Sequence, residues 1–194
     1  MTKALIILFK NPILGRAKTR LAKDIGDEAA LEIYQNLLSI TKETTSSVEA
    51  LKLLFYSDFI DTEDDWRMGK IEKQLQSKGD LGQRMETALE YAFEKAQHVL
   101  IMGSDCPEIT PDLINHAFDV LNHSDIVIGP SEDGGYYLLG MQKWLPELVR
   151  DKPWSTDEVL MLTLSQAIEM GNRTYLLPPL NDIDTLEDWN QWKA

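Results

Sequence analysis

Residues 3–9, KALIILF, run directly into residues 10–20, KNPILGRAKTR, so an apolar segment gives way at once to a stretch crowded with positive charge. Seven residues dominated by Leu and Ile, closed by Pro12 and Gly15, predict a buried strand followed by a turn. Further on, DEAALEIYQNLLSITKETTSS (27–47) places Ala30, Ile33, Tyr34, Leu37, Leu38 and Ile40 near helical spacing. Strand, charged loop and helix in that order form the opening of a layered α/β unit.

The same pattern repeats outward from this segment. Apolar strand-like runs recur as ALKLLFYS (50–57), HVLIMG (98–103), DIVIGP (125–130), YYLLGM (136–141) and RTYLLP (173–178), with helix-sized segments between most of them. The prediction is an α/β fold, a three-layer α/β/α sandwich around a mainly parallel sheet. At 194 residues, 43% hydrophobic and 26% charged, the chain suits one domain, 1–194, with a sizeable core and no linker. The run ALIILF (4–9) is far shorter than the roughly 20 residues of a membrane span, and no small-residue cleavage site follows it. Cys106 is the sole cysteine, which excludes an internal disulfide, and the three His add no zinc-ligand spacing. The expectation is a cytoplasmic protein that engages no membrane.

A formal net charge of −13 argues against nucleic acid or anionic lipid as a partner, because both would repel the chain. Against that background residues 1–23 carry Lys3, Lys10, Arg16, Lys18, Arg20 and Lys23 and no acidic residue. A solvated loop would account for them blandly. An extended segment would put Arg16, Lys18 and Arg20 on one side, as a side-chain clamp for several phosphate oxygens. The loop is neither a Walker A motif nor a three-glycine dinucleotide fingerprint.

Parallel sheets of this class bind ligands at the carboxyl ends of their strands, so the other post-strand loops matter as much. In IMGSDCPEITP (101–111), Thr110 and Pro111 read as the start of a helix, whereas Asp105 is left without a capping role. Facing a basic loop, Asp105 is placed to hold a hard cation bridging phosphates, or else to bond the amides of its own turn. Cys106 has no neighbouring His to activate it and reads as a packing residue. In GPSEDGGYYLLG (129–140), Gly134 and Gly135 form a hairpin turn or leave room for a ligand that Asp133 contacts. Asp80 suits the N-cap of a helix that carries Arg84 one turn in, beside an anion at its N-terminus. Ser155 and Glu158 have capping-box spacing, and Asp182 and Asp184 share one side of an extended stretch ahead of a helix capped by Thr185. A second carboxylate beside Asp105 would complete a divalent-metal site.

Six segments in order, FKNPILGRAKTRL, KGDLGQRM, IMGSDCPEIT, GPSEDGGYYLLG, WST and NDIDTLEDW, resemble the radical-SAM/selenodomain-associated transferase family from about Phe9 to Trp189. The resemblance implies a glycosyltransferase-A-like, nucleotide-diphospho-sugar transferase fold, shared with molybdopterin and phospholactate guanylyltransferases. It implies that the first loop binds nucleotide phosphates, with Lys18 and Arg20 on them; Lys10, Arg16, Asp80, Arg84, Gly134 and Gly135 complete the candidate nucleotide- and phosphate-binding set. It places Mg²⁺ or Mn²⁺ on Asp105 and, through the late DIDTLED element, on Asp184. The Gly-Gly-x-Ser loop of the molybdopterin enzymes is absent. The function expected is therefore metal-dependent nucleotidyl or glycosyl transfer from a nucleoside triphosphate or nucleotide-sugar to a small acceptor, with Lys18, Asp105 and Asp133 as the catalytic residues. The alternative is a nucleotide-binding module without catalysis, acting as a sensor or partner protein.

Overall fold

The computed structural model describes residues 2–66 and 69–193. Its elements are β1 (Lys3–Phe9), α1 (Thr19–Ile25), α2 (Asp27–Ser46), β2 (Leu51–Tyr56), β3 (Ile71–Leu75), α3 (Leu81–Phe93), β4 (His98–Met102), α4 (Pro111–Val120), β5 (Ile126–Pro130), β6 (Tyr136–Met141), α5 (Val159–Glu169), β7 (Thr174–Leu176) and α6 (Leu186–Lys193). The seven strands form one sheet in the order β3-β2-β1-β4-β6-β5-β7. All neighbouring pairs are parallel except those of β6, which runs antiparallel to both β4 and β5. The expected α/β architecture and mainly parallel sheet are therefore present, with one reversed strand inserted by the β5–β6 hairpin.

Alternation along β1 distributes its side chains between two apolar layers. Leu5, Ile7 and Phe9 join Tyr34 and Leu38 of α2 and Ile114, Ala117 and Phe118 of α4 on one face of the sheet. Ala4 and Ile6 join Met85, Ala88, Leu89 and Ala92 of α3 and Ala167 of α5 on the other. A third, smaller cluster seats Ile183 against Leu21 of α1 and Ala30, Ile33 and Leu37 of α2.

Two local features depart from the sequence pattern. β3 reads IEKQL, with three of its five residues polar, because it is an edge strand of the sheet and none of its side chains is fully buried. On α2 the buried stripe continues through Thr41 and Thr45 rather than Ile40. Those hydroxyls enter the interior because each donates to a carbonyl one turn back, Thr41 to Leu37 at 2.9 Å and Thr45 to Thr41 at 2.8 Å. No helix among the described residues is long and apolar enough to cross a membrane.

Candidate active site

β1 and β4 lie side by side and parallel, with Ile7 opposite Met102, so the loops leaving them emerge together. Between these loops, the β5–β6 hairpin, the segment before α5 and the segment before α6 lies a cavity of about 500 Å³, a size suited to a small-molecule ligand. Lys10, Lys18, Arg20, Arg84, Asp105, Asp133, Asp182 and Asp184 line it, with Met85, Tyr136 and Trp154 as an apolar flank.

The first loop is shaped by a buried amide. Asn11, 2% exposed, accepts at Oδ1 from the Asp58 amide at 2.9 Å and donates from Nδ2 to the Phe59 carbonyl at 2.9 Å, pinning the loop to the end of β2. The backbone then turns and enters α1 at Thr19, so residues 16–20 are not the extended segment the clamp required. Arg16 points away, pairing with Asp58 at 2.8 Å, and does not line the cavity. Lys18 adopts a left-handed conformation, φ 49° and ψ 45°, which costs a non-glycine residue on the order of 1 kcal/mol. The turn drives its side chain inward.

The Lys18 ammonium lies 2.9 Å from Asp105 Oδ1 and 3.1 Å from Asp184 Oδ1, with its side chain 4% exposed. Burial lowers the Lys18 pKa, but the charges of Asp105 and Asp184 outweigh it and hold the pKa above the usual lysine value. Arg20 reaches the other oxygen of Asp184 at 3.4 Å. Asp105 and Asp184 thus converge, as a shared site requires. Asp105 Oδ1 is buried without a hydrogen bond of good geometry among the described residues, its approach to Lys18 being an ion pair.

Alternation explains the second carboxylate segment. Ile183 is buried in the α1–α2 cluster and its amide donates to the Asp105 carbonyl at 2.9 Å, so Asp182 and Asp184 on either side turn toward the cavity. Thr185 and Asp188 cap α6 reciprocally: the Thr185 amide donates to Asp188 Oδ2 at 2.7 Å and the Asp188 amide to Thr185 Oγ1 at 3.2 Å. Asp182 is the deeper carboxylate, and burial first, then the charges of Asp105 and Asp133, push its pKa up to about 7 against the pull of Lys18. Ser131 donates to it at 3.2 Å. Among the described residues no three His, Cys, Asp or Glu side chains are gathered closely enough to form a ready-made metal cage.

Several expected residues have structural duties outside the cavity. Asp80 forms a complete capping box with Gln83 at the start of α3 and does not line the cavity. Arg84, on the next turn, does line it; its Nε donates to the Asp80 carbonyl at 3.2 Å, and it has no ion-pair partner among the described residues. Gly134 is a turn residue at φ +86° whose missing Cβ leaves room for the Asp157 backbone, 2.3 Å from where that carbon would stand, rather than for a ligand. Gly135 faces the cavity and donates its amide to Asp133 Oδ1 at 3.0 Å.

The Ser155 capping box does not form. Helix α5 starts four residues later, at Val159, and Ser155 sits at φ +67° on the cavity wall beside Trp154 and Thr156. Thr110 does cap α4. Cys106 is buried, and burial followed by the charge of Asp182 pushes its thiol up to about 12, in keeping with a packing role. Nothing in the sequence marks Tyr34 as a site residue, because it belongs to the apolar stripe of α2. Its hydroxyl donates to the Lys10 carbonyl and accepts from the Lys10 amide, both at 2.9 Å, and it lies 3.4 Å from Ser104, bracing two cavity loops together.

The fold has close counterparts. A Desulfovibrio desulfuricans G20 protein provisionally named a nucleotide-diphospho-sugar transferase is 30% identical, with a TM-score of 0.90 over 99% of this chain and 87% of that one. The 2-phospho-L-lactate guanylyltransferase of Methanocaldococcus vulcanius is 25% identical over 139 residues, which span 70% of this chain and 59% of that enzyme. Rv0371c of Mycobacterium tuberculosis H37Rv, crystallised with manganese, shares the fold alone, at 13% identity and a TM-score of 0.54 over 98% of this chain and 97% of that one. The Desulfovibrio and Methanocaldococcus relatives are transferases in name. The model of the family described as "Uncharacterized protein conserved in bacteria (DUF2064)" matches residues 40–156, the central segment that contributes Arg84, Asp105, Asp133 and Trp154 to the cavity, and the chain belongs to that family.

Proposed function

We propose that this chain is a divalent-metal-assisted nucleotidyltransferase that takes a nucleoside triphosphate and transfers its nucleotidyl group to a small acceptor. One observation carries the reading. In a chain of net charge −13, Arg84 lines the cavity without an ion pair among the described residues, and Lys10 also lines it without a close ion pair, its charge reaching only as far as Asp58, while Asp105, Asp133, Asp182 and Asp184 gather within the same cavity. Cations without close ion pairs beside clustered carboxylates suit a ligand that brings both phosphate and a metal ion.

In this reading Lys10, Lys18 and Arg20 bind the phosphates and stabilise the charge that grows on departing pyrophosphate. Asp105 and Asp184 would hold Mg²⁺ or Mn²⁺; two carboxylates suffice where phosphate oxygens and water complete the shell. When bound, the ion offsets phosphate charge and polarises the group being transferred. An acceptor oxygen attacks the α-phosphorus as the bond to the β-phosphate oxygen breaks. Asp133, held by the Gly135 amide, takes the proton if that oxygen is a hydroxyl, and Arg84 orients an anionic acceptor. Met85, Tyr136 and Trp154 keep water from one side of the cavity.

The test is thermal unfolding with each nucleoside triphosphate and a panel of nucleotide-sugars, with and without Mn²⁺. A ligand at a hundredfold its Kd adds about 2.7 kcal/mol, a rise of roughly 5–10 °C for a domain of this size. A manganese-dependent rise with one triphosphate and release of pyrophosphate on adding an acceptor is expected. A rise confined to nucleotide-sugars would turn the reading to glycosyl transfer, and no rise with any of them would overturn it.

A further inference from the structure

Lys18 is held in place by more than its two ion pairs. It stands at the N-cap of α1 in a left-handed conformation that lysine seldom adopts, and its carbonyl accepts the Ala22 amide at 2.9 Å. Its side chain is almost fully buried, and its ammonium is 2.9 Å from Asp105 and 3.1 Å from Asp184. Those two carboxylates are the pair to which the proposed function assigns the divalent ion. One position between two carboxylates cannot be filled by an ammonium and a divalent cation together, since like charges repel strongly at such distances.

We infer that the Lys18 ammonium is the resident counter-ion of the Asp105–Asp184 pair, and that a divalent cation binds by displacing it, which releases Lys18 toward the phosphate-binding side of the cavity. The inference rests on the metal reading above and adds a direction to it. Lys18 competes with the metal before the ligand arrives and serves the ligand afterwards. The arrangement also explains how two carboxylates can sit together without a metal: their charge is neutralised internally, with Arg20 assisting at Asp184. Phosphate favours the exchange by giving the displaced ammonium a new partner, so metal and nucleotide promote each other's binding.

The experiment is titration of the full chain with Mn²⁺ alone, followed by electron paramagnetic resonance of the free ion. Wild type, Lys18→Met, Lys18→Arg and the double variant Lys18→Met with Asp105→Asn are compared. Met keeps an unbranched apolar stem while removing the charge. The expected result is that Lys18→Met binds Mn²⁺ at least tenfold more tightly than wild type, that Lys18→Arg does not, and that Asp105→Asn abolishes the gain. A conventional ligand-binding lysine would give no gain on removal. Lys18→Gln, titrated the same way, covers the case in which the Met variant fails to fold.

Equal or weaker Mn²⁺ binding by folded Lys18→Met or Lys18→Gln overturns the exchange and leaves the metal site standing if wild type binds the ion. A gain that survives Asp105→Asn also overturns it, because the tightening would then lie elsewhere. No Mn²⁺ binding by any variant overturns both this inference and the metal reading beneath it.

Discussion

Replacing Gly134 by Ala tests whether the β5–β6 turn is locked to the wall of the cavity. Residue 134 has φ +86°, and an added Cβ would stand 2.3 Å from the Asp157 carbonyl oxygen, 2.5 Å from its Cα and 2.7 Å from its carbonyl carbon. All three are backbone atoms and cannot swing aside, and the Leu160 amide, donating to the Gly134 carbonyl at 2.9 Å, resists separation of the two segments. The left-handed conformation alone costs about 1–2 kcal/mol with a side chain present. Overpacking against fixed atoms adds roughly 1–3 kcal/mol. Gly171 supplies the control, because its φ is +71° and nothing lies within 4 Å of its built Cβ. Urea unfolding of the two Ala variants therefore separates conformation from contact: Gly171→Ala loses about 1–2 kcal/mol and Gly134→Ala about 2–5 kcal/mol. Equal losses would refute the claim that residue 134 is glycine because of the Asp157 backbone.

Three further outcomes are expected. Arg84→Ala weakens binding of the stabilising triphosphate by roughly ten- to a hundredfold, the value of a charge-assisted contact, whereas Arg16→Ala, which removes only the exposed pair with Asp58, leaves calorimetric affinity unchanged. The Asp182 carboxyl, with its pKa near 7 in the fold and about 3.9 when unfolded, binds a proton more readily in the native state. Its favourable contribution is complete below about pH 4 and is lost as pH rises through 7, so Asp182→Asn should gain stability relative to wild type between pH 5 and pH 8, by at most about 4 kcal/mol, in metal-free unfolding curves. Asn11→Ala strands the Asp58 amide and the Phe59 carbonyl and should cost about 2–4 kcal/mol in the same assay.

The parts legible in the sequence were those written in apolar periodicity and capping chemistry. The five inner strands β1, β2, β4, β5 and β6 stand out as apolar runs because they are largely buried, whereas β3, at one sheet edge, keeps Glu72, Lys73 and Gln74 and leaves no apolar trace, and β7, at the other edge, shows as the run before Pro178 although Tyr175 and Leu176 are exposed. Thr110, Asp80 and Thr185 announce their helices because a cap acts within four residues. Ser155 matched the same spacing and misled, since the backbone there is committed to the turn between Trp154 and the Gly134 loop, and α5 begins only once that turn is complete. The candidate site was legible as a set of loops but not as a geometry. The alternation of Arg16, Lys18 and Arg20 implied a one-sided clamp only if the segment were extended; the helix starting at Thr19 leaves Arg16 on Asp58, while Lys18 and Arg20 both reach Asp184. That Asp105 meets Asp184 depends on the seating of Ile183 among α1 and α2, a contact between segments remote in sequence. The alternation pairs Asp182 with Asp184 on one side of the stretch, but the greater depth of Asp182 comes only from the tertiary packing around it.

The pairing of Lys18 with Asp184 joins residues 166 positions apart. Closing so long a loop has an entropic cost that grows only slowly with length, but it must be met before the contact returns any energy, so pairings of this span form late in folding. Until residues 181–188 dock, Asp105 and Lys18 face each other without their third member and the cluster of Leu21, Ala30, Ile33 and Leu37 lacks Ile183. The cavity is thus assembled after the sheet that supports it. A chain that has paired its strands and not yet seated Ile183 would show native secondary structure in the far ultraviolet while lacking the arrangement on which any ligand depends, and recovery of ligand binding during refolding should lag recovery of helicity.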